Sequence, residues 1–369
     1  MRVLECFGEP ILSGGQESFV FNTVQQMHDP NLEIDAYTPY NVNNDYYVNI
    51  LTQRGGQVFS DGVRFNPGGL RFSIIRPLIE LLKSQHYDVI HIHSGSISVL
   101  AFASFAAKVC GVGKIIVHSH ASGIKKSLKY KITKLAMTPL LSLCPTIYFA
   151  CSLEAGEWKF SKRIVKNKLQ IIKNGIDIPK YQFNSDTRSQ LRKQLQIDDS
   201  EIVIGHVGRL SYEKNQRFLI DLVSEIVSDH SQYRLLLVGE GDDKESLTHL
   251  VEEKHLQSHV IFAGAVNNVY DYLMAMDVFA FPSLYEGLGL VGIEAQASGL
   301  HVIASSNVPR TLNATNTVDF IDLSNREEWI YQLEKVENHT RFDKSNMIKS
   351  AGFDVKKTAE LLSEIYLGE

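Results

Sequence analysis

The chain has 369 residues, 44% apolar and 21% charged, with a formal net charge of −5. That length exceeds what one hydrophobic core supports, so two domains are expected, and no run approaches the ~18 uninterrupted apolar residues of a membrane span. The charge is uneven: residues 1–180 carry +7 and the remainder −12. A positive half suits an anionic surface or a phosphorylated ligand, whereas the lack of interleaved stacking aromatics points away from nucleic acid.

The opening "MRVLECF" lacks the apolar centre and small-residue cleavage site of a secretory signal and reads as a first buried strand. Cys6, Cys110, Cys144 and Cys151 stand in apolar surroundings without metal or redox spacing, which fits reduced thiols in a cytoplasmic protein. Short β-rich runs then recur between longer amphipathic segments. In the first half they are "RVLECF", "EIDAYT", "VIHIH", "KIIVHSH", "IYFACS" and "LQIIKNG"; in the second, "IVIGHVG", "YRLLLVGEG", "VIFAGAV", "VFAFPS" and "HVIAS". Strands alternating with helices predict two α/β domains, each a doubly wound parallel sheet, with a cleft between them. The boundary is placed near residue 180, before the polar "YQFNSDTRSQLRKQLQIDDSE", giving domains 1–180 and 181–352. In residues 353–369, Val355, Ala359, Leu362 and Ile365 have helical spacing, and this helix is expected to return to the first domain.

In such sheets ligands bind at the carboxyl ends of strands, where loops enter helix N-termini that attract phosphate. The loop after the first strand carries Gly14 and Gly15, which let backbone amides approach an anion closely or make a plain turn. His91 and His93 alternate along "VIHIHS" but lack a third ligand at matching spacing, so no metal is expected there. "VHSHAS" places His118 and His120 at the end of another strand. In "GIKKSLKYKITKLAMTPLLSL", residues 123–143, Lys125, Lys126, Lys129, Lys131 and Lys134 flank a long apolar run, which fits docking on an anionic membrane or a solvated helix face. "VGRLSYEKNQ" sets Arg209 and Lys214 at the mouth of a helix, a planar fork and a point charge suited to a diphosphate. Gly239 and Gly241 follow the next strand. In "FPSLYEGLGLVGIEAQASGL" Glu286 falls in the turn and Glu294 in the first turns of the following helix. Favourable placement of carboxylates near a helix N-terminus accounts for them singly, but not together with the glycines between them.

The E-x7-E run of Glu286 and Glu294, "GRL..EKN" upstream, "GG.E" at Gly14 to Glu17, "NGID" at Asn174 to Asp177 and "DVIHIHS" at Asp88 to Ser94 resemble the retaining glycosyltransferases of family 4, and the wording around the glutamates is similar to enzymes of bacterial capsule and exopolysaccharide assembly. The resemblance implies the GT-B fold. It further implies that Glu294 holds the ribose of a nucleotide sugar, Glu286 faces the donor sugar, and Arg209 and Lys214 hold the diphosphate as it leaves. Backbone near Leu290 and Val291 would add to the phosphate site, Val266 and Asn267 would meet the base, Gly14 and Gly15 would close over the phosphates, and His120 would sit beside the transferred sugar. A UDP-sugar donor, a lipid-linked saccharide acceptor and no metal or other cofactor are implied. The loop "SNVPRTLN", residues 306–313, departs from the family's glycine-rich turn. Two other readings fit the same architecture, a UDP-amino-sugar epimerase and a non-catalytic membrane-associated subunit; a nicotinamide enzyme lacks its G-x-G-x-x-G.

Overall fold

The computed structural model describes residues 1–12, 14–65, 71–120, 127–338 and 341–368. They form two units, Met1–Ile176 with Asp354–Glu369, and Asp177–Phe353. The first is built on β1 (Arg2–Phe7), β2 (Glu33–Tyr40), β3 (Val58–Val63), β4 (Val89–Ser94), β5 (Lys114–Ser119), β6 (Ile147–Ala150) and β7 (Leu169–Ile171), in the spatial order β3-β2-β1-β4-β5-β6-β7. The second contains β8 (Ile202–Val207), β9 (Tyr233–Val238), β10 (Val260–Gly264), β11 (Val278–Phe281), β12 (His301–Ser305) and β13 (Val318–Ile321), in the order β10-β9-β8-β11-β12-β13. Every pairing in both sheets is parallel.

Parallel strands covered by helices on both faces need apolar residues on both faces. The central strands comply: β8 and β11 are buried along their whole length. Two strands escaped the sequence reading, β3 and β13, and both lie at a sheet edge. Pairing on one side only lets β3 keep exposed Ser60, Asp61 and Gly62, so the apolar run that marks the inner strands is absent. The helix Ile97–Val109 shows the opposite extreme, being buried on nearly all sides, as its sequence "ISVLAFASFAAKV" requires.

The polar stretch after residue 180 is no free connector. Ser185–Gln194 is a helix of the second unit, and Arg192, 1% exposed, donates to Asp277 at 3.1 Å and to the Ala275 carbonyl at 3.2 Å. The chain returns to the first unit at Asp354, whose neighbour Val355 presses on Gly175; a Cβ on Gly175 would meet the Val355 nitrogen at 2.5 Å. The helix Val355–Leu367 then places Ala359, Leu362 and Tyr366 in the core of that unit.

Candidate active site

Strand order reverses between β8 and β11 in the second sheet and between β1 and β4 in the first. Such switch points open a crevice beyond the carboxyl ends of the strands, because the two loops run to opposite sides. Most of the sequence-derived candidates follow these strands.

In the second unit, β8 leads through Arg209 and a short turn, Tyr212–Lys214, into the helix Gln216–Asp229, with Asn215 at φ 57°. β11 leads through residues 282–289 into the helix Leu290–Ala297, whose N-cap, Gly289, sits at φ 74°. Glycine is required there twice over, by the left-handed backbone and because a Cβ would lie 2.7 Å from the Phe281 ring. The two loops are joined by main-chain and side-chain bonds: the Leu284 amide donates to the Glu213 carbonyl at 2.8 Å and Asn215 Nδ2 to the Pro282 carbonyl at 3.2 Å. Lys214 Nζ lies 2.5 Å from Glu286 Oε1, and Ser283 Oγ donates to the same oxygen at 2.8 Å. The Glu286 side chain is 8% exposed, so the lysine is its main compensation for lost hydration.

Arg209 is more accessible. It meets Asp242 at 3.0 Å, with both side chains largely in water, a pairing of little energetic value that an incoming anion can replace. Gly239 and Gly241 have a packing role: Cβ atoms there would meet the carbonyl oxygens of Gly208 and Leu210 at 2.1 and 2.2 Å. They bring the loop after β9 against the Arg209 loop.

Glu294 is the fifth residue of its helix, and burial pushes its carboxyl up to about 7, while the Tyr181 hydroxyl donates to it. The Tyr181 ring meets Tyr270 edge-on at 6.3 Å between centroids. Tyr270 belongs to the helix Val269–Ala275, entered from the loop that holds half-buried Val266 and exposed Asn267. Leu290 and Val291 head their helix, where N–H groups have no intrahelical acceptor. Residues 306–313 include the turn Arg310–Leu312, and Gln296 Nε2 donates to the Leu312 carbonyl at 2.8 Å, which holds that segment to the Glu294 helix.

In the first unit, Gly14 is the N-cap of the helix Gly15–Gln26, and Glu17 accepts from the Gly14 amide. This is the reciprocal half of a capping box, so the glutamate of "GG.E" serves the helix start. Gly15 differs: a Cβ there would meet nothing within 4 Å, and no packing demand explains the glycine. Asn174 Nδ2 donates to its carbonyl at 3.2 Å.

His120, at the end of β5, belongs to a buried network that spacing did not disclose. Its Nε2 is 2.9 Å from Nδ1 of His93, and Nε2 of His93 is 2.6 Å from Oε2 of Glu5. Tyr366 donates to Oε1 of Glu5 at 2.8 Å and lies 2.6 Å from Nδ1 of His91. Burial pushes His120 down to about 3 and lowers His91, His93 and His118, so all four imidazoles are neutral. His118, which has no matching sequence spacing to His91 and His93, faces His93 in register across β4 and β5, and one nitrogen from each of the three lies within 4.8 Å of the others. Sequence spacing misses this because the third imidazole comes from a neighbouring strand. Nδ1 of His91 and both nitrogens of His93 are occupied by hydrogen bonds within the protein.

Lys125 and Lys126 lie outside the described residues. In the helix Leu128–Leu143, Lys129 and Lys131 are exposed, whereas Lys134 turns inward to the carbonyls of Glu157 at 2.7 Å and Trp158 at 3.0 Å. No helix among the described residues is long and apolar enough to cross a membrane.

Two parallel Rossmann-like sheets, the second with a cation-bearing loop at its switch point, are the architecture of the GT-B class. The chain belongs to the family: residues 13–180 match the model of Glycosyltransferase Family 4 and residues 187–351 that of Glycosyl transferases group 1. It is 26% identical over 350 residues, covering 88% of this chain and 90% of the relative, to the UDP-Gal:alpha-D-GlcNAc-diphosphoundecaprenol alpha-1,3-galactosyltransferase of Escherichia coli. It is 28% identical over 317 residues, 81% of this chain and 82% of the other, to the capsular polysaccharide biosynthesis glycosyltransferase CapH of Staphylococcus aureus. Among solved structures, Anabaena Alr3699/HepE in complex with UDP superposes with a TM-score of 0.77 at 18% identity, all of both chains being covered. The protein is thus a glycosyltransferase by family.

Proposed function

We propose that the protein transfers a hexose or N-acetylhexosamine from a UDP-sugar to a lipid-linked glycan, with retention of anomeric configuration. The observation that carries this reading is the joined pair of loops after β8 and β11, where Lys214, Glu286 and Ser283 form one hydrogen-bonded group beside a helix N-terminus. UDP as the nucleotide draws support from the likeness to a UDP complex, and the lipid diphosphate acceptor from the named activity of the Escherichia coli relative.

On this reading Glu294 exchanges its bond from Tyr181 for the ribose hydroxyls, and Arg209 exchanges Asp242 for the diphosphate. Lys214 and the amides at Leu290 and Val291 stabilise charge as it develops on the leaving group, a role that positioned donors perform without reorganising. The acceptor oxygen bonds to the anomeric carbon on the face from which the diphosphate oxygen departs, and that oxygen receives the acceptor's proton. Glu286 orients the sugar without forming a covalent adduct; a glycosyl-Glu286 ester found by mass spectrometry rules this path out. His120 lies beside the transferred sugar, Gly14 and Gly15 close over the phosphates, and Val266 and Asn267 meet the base.

Docking on the inner face of an anionic membrane belongs to the same proposal. Leu128, Ile132, Leu135 and Leu143 are 60–78% exposed on one helix that also carries Lys129 and Lys131, an apolar stripe edged by cations. The functional test is calorimetric titration with UDP, GDP and ADP, followed by nucleotide release from a panel of UDP-sugars. Selective UDP binding with slow hydrolysis of one UDP-sugar is expected; absence of nucleotide binding removes the catalytic reading.

A further inference from the structure

The chain from His120 to His91 runs through four hydrogen bonds and draws on β1, β4, β5 and the C-terminal helix. Imidazoles in such a chain have a definite proton order, because each neutral ring offers one donor and one acceptor. Tyr366 donates to Oε1 of Glu5 and therefore accepts from Nδ1–H of His91. If Oε2 of Glu5 bears a proton, it donates to His93 Nε2, His93 Nδ1–H donates to His120 Nε2, and His120 presents Nδ1–H. If Glu5 is ionised, His93 Nε2–H donates to it, every bond reverses as far as His120, and His120 presents a bare Nδ1. That Nδ1 is the ring nitrogen of His120 left without a protein partner.

We propose that Glu5 and His93 are positioning residues that decide which ring nitrogen of His120 carries its proton, and so whether His120 offers the site a donor or an acceptor. The link to sugar transfer rests on the functional reading above; the tautomer itself does not.

The surroundings of Glu5 support a neutral carboxyl. The titratable groups facing it are His91 and His93 from β4, Tyr366 from the terminal helix and its chain neighbour Cys6, with His118 and His120 reaching it only by way of His93; Phe19, Val20, Thr23 and Val24 of the helix Gly15–Gln26, with Met27 at its end, close the cavity. Burial in this setting pushes Glu5 up to about 8, against a weaker lowering by the Tyr366 bond. The donor form of His120 is then the one present at neutral pH.

The test is long-range ¹H–¹⁵N spectroscopy of the full chain labelled in its histidine rings, with the His120 signals identified by their loss in His120→Gln. In the wild type His120 is expected as the Nδ1–H tautomer near neutral pH, converting to Nε2–H as the pH passes about 8, where Glu5 ionises. Glu5→Gln places an amide donor where the carboxyl proton stood and is expected to hold Nδ1–H throughout. A His120 found as Nε2–H at neutral pH, or a wild type and variant that titrate alike, overturns the proposal. Should Glu5→Gln not fold, the wild-type titration decides alone, an unchanging tautomer being the negative result. UDP calorimetry on the same samples separates the two claims: loss of binding with the tautomer pattern intact counts against the functional reading only, and the reverse against this one.

Discussion

Lys214 and Glu286 are each other's compensation, which sets what their removal does. Lys214→Ala strands a carboxylate that is 8% exposed and, on the proposed reading, removes a cation from the leaving group. Turnover of the UDP-sugar is expected to fall roughly 10²- to 10³-fold, with a lowered melting temperature. Adding Glu286→Ala should recover part of the stability and none of the turnover; recovery of turnover would show that the pair is structural. For Glu294→Ala, loss of a charged hydrogen bond worth about 1.5–3 kcal/mol predicts UDP affinity weaker by roughly 10- to 100-fold in calorimetry. A pH effect follows from Glu5, whose folded value of about 8 stands above its ordinary 4.5. The folded state binds the extra proton between these values, so wild-type stability falls as pH rises through that window. The melting temperature of Glu5→Gln relative to wild type should therefore climb from about pH 5 to pH 8; a flat difference counts against a protonated Glu5. The two glutamates of the β11 loop and helix were visible in the sequence because carboxylates stand out in an apolar, glycine-rich run. Their partners Ser283 and Tyr181 were not, because hydroxyls are common and nothing local ties Tyr181 to a helix more than a hundred residues on.

Helices and strands were legible to the extent that burial forces a pattern on them. Inner strands must be apolar on both faces, so their runs announce themselves, whereas β3 and β13 at the edges carry no such demand. The basic helix Leu128–Leu143 was also legible as charge beside an apolar run, but only its packing separates Lys134, turned to the carbonyls of Glu157 and Trp158, from the exposed Lys131. The exposed stripe predicts that Ile132→Asp with Leu135→Asp abolishes sedimentation with anionic-lipid vesicles at low salt. Both side chains are at least 60% exposed, so stability should stay within about 0.5 kcal/mol. Unaltered sedimentation of the double variant rules out this face.

At the scale of the molecule, two units with separate cores predict two thermal transitions, and each should answer to its own perturbation. Tyr366→Ala removes a fully buried ring from the first unit's core and leaves Glu5 without its donor, a loss of about 3–5 kcal/mol on that transition only. UDP, if its site lies on the second unit, should raise the other transition, by about 2.7 kcal/mol at a hundredfold excess over Kd. One calorimetric scan of each form distinguishes these outcomes from a single transition moved by both. The alternation of strands and helices, the family signature and the loops leading into helices are local properties, written in spacing along the chain, and the sequence by itself determined them. The Glu5–Tyr366 bond spans 361 residues, and His118 reaches His93 only through the register of β4 and β5. Register between parallel strands depends on how the intervening helices pack, so only the tertiary structure decided that three histidines, a glutamate and a tyrosine would share one buried network with the ring of His118 packed against it.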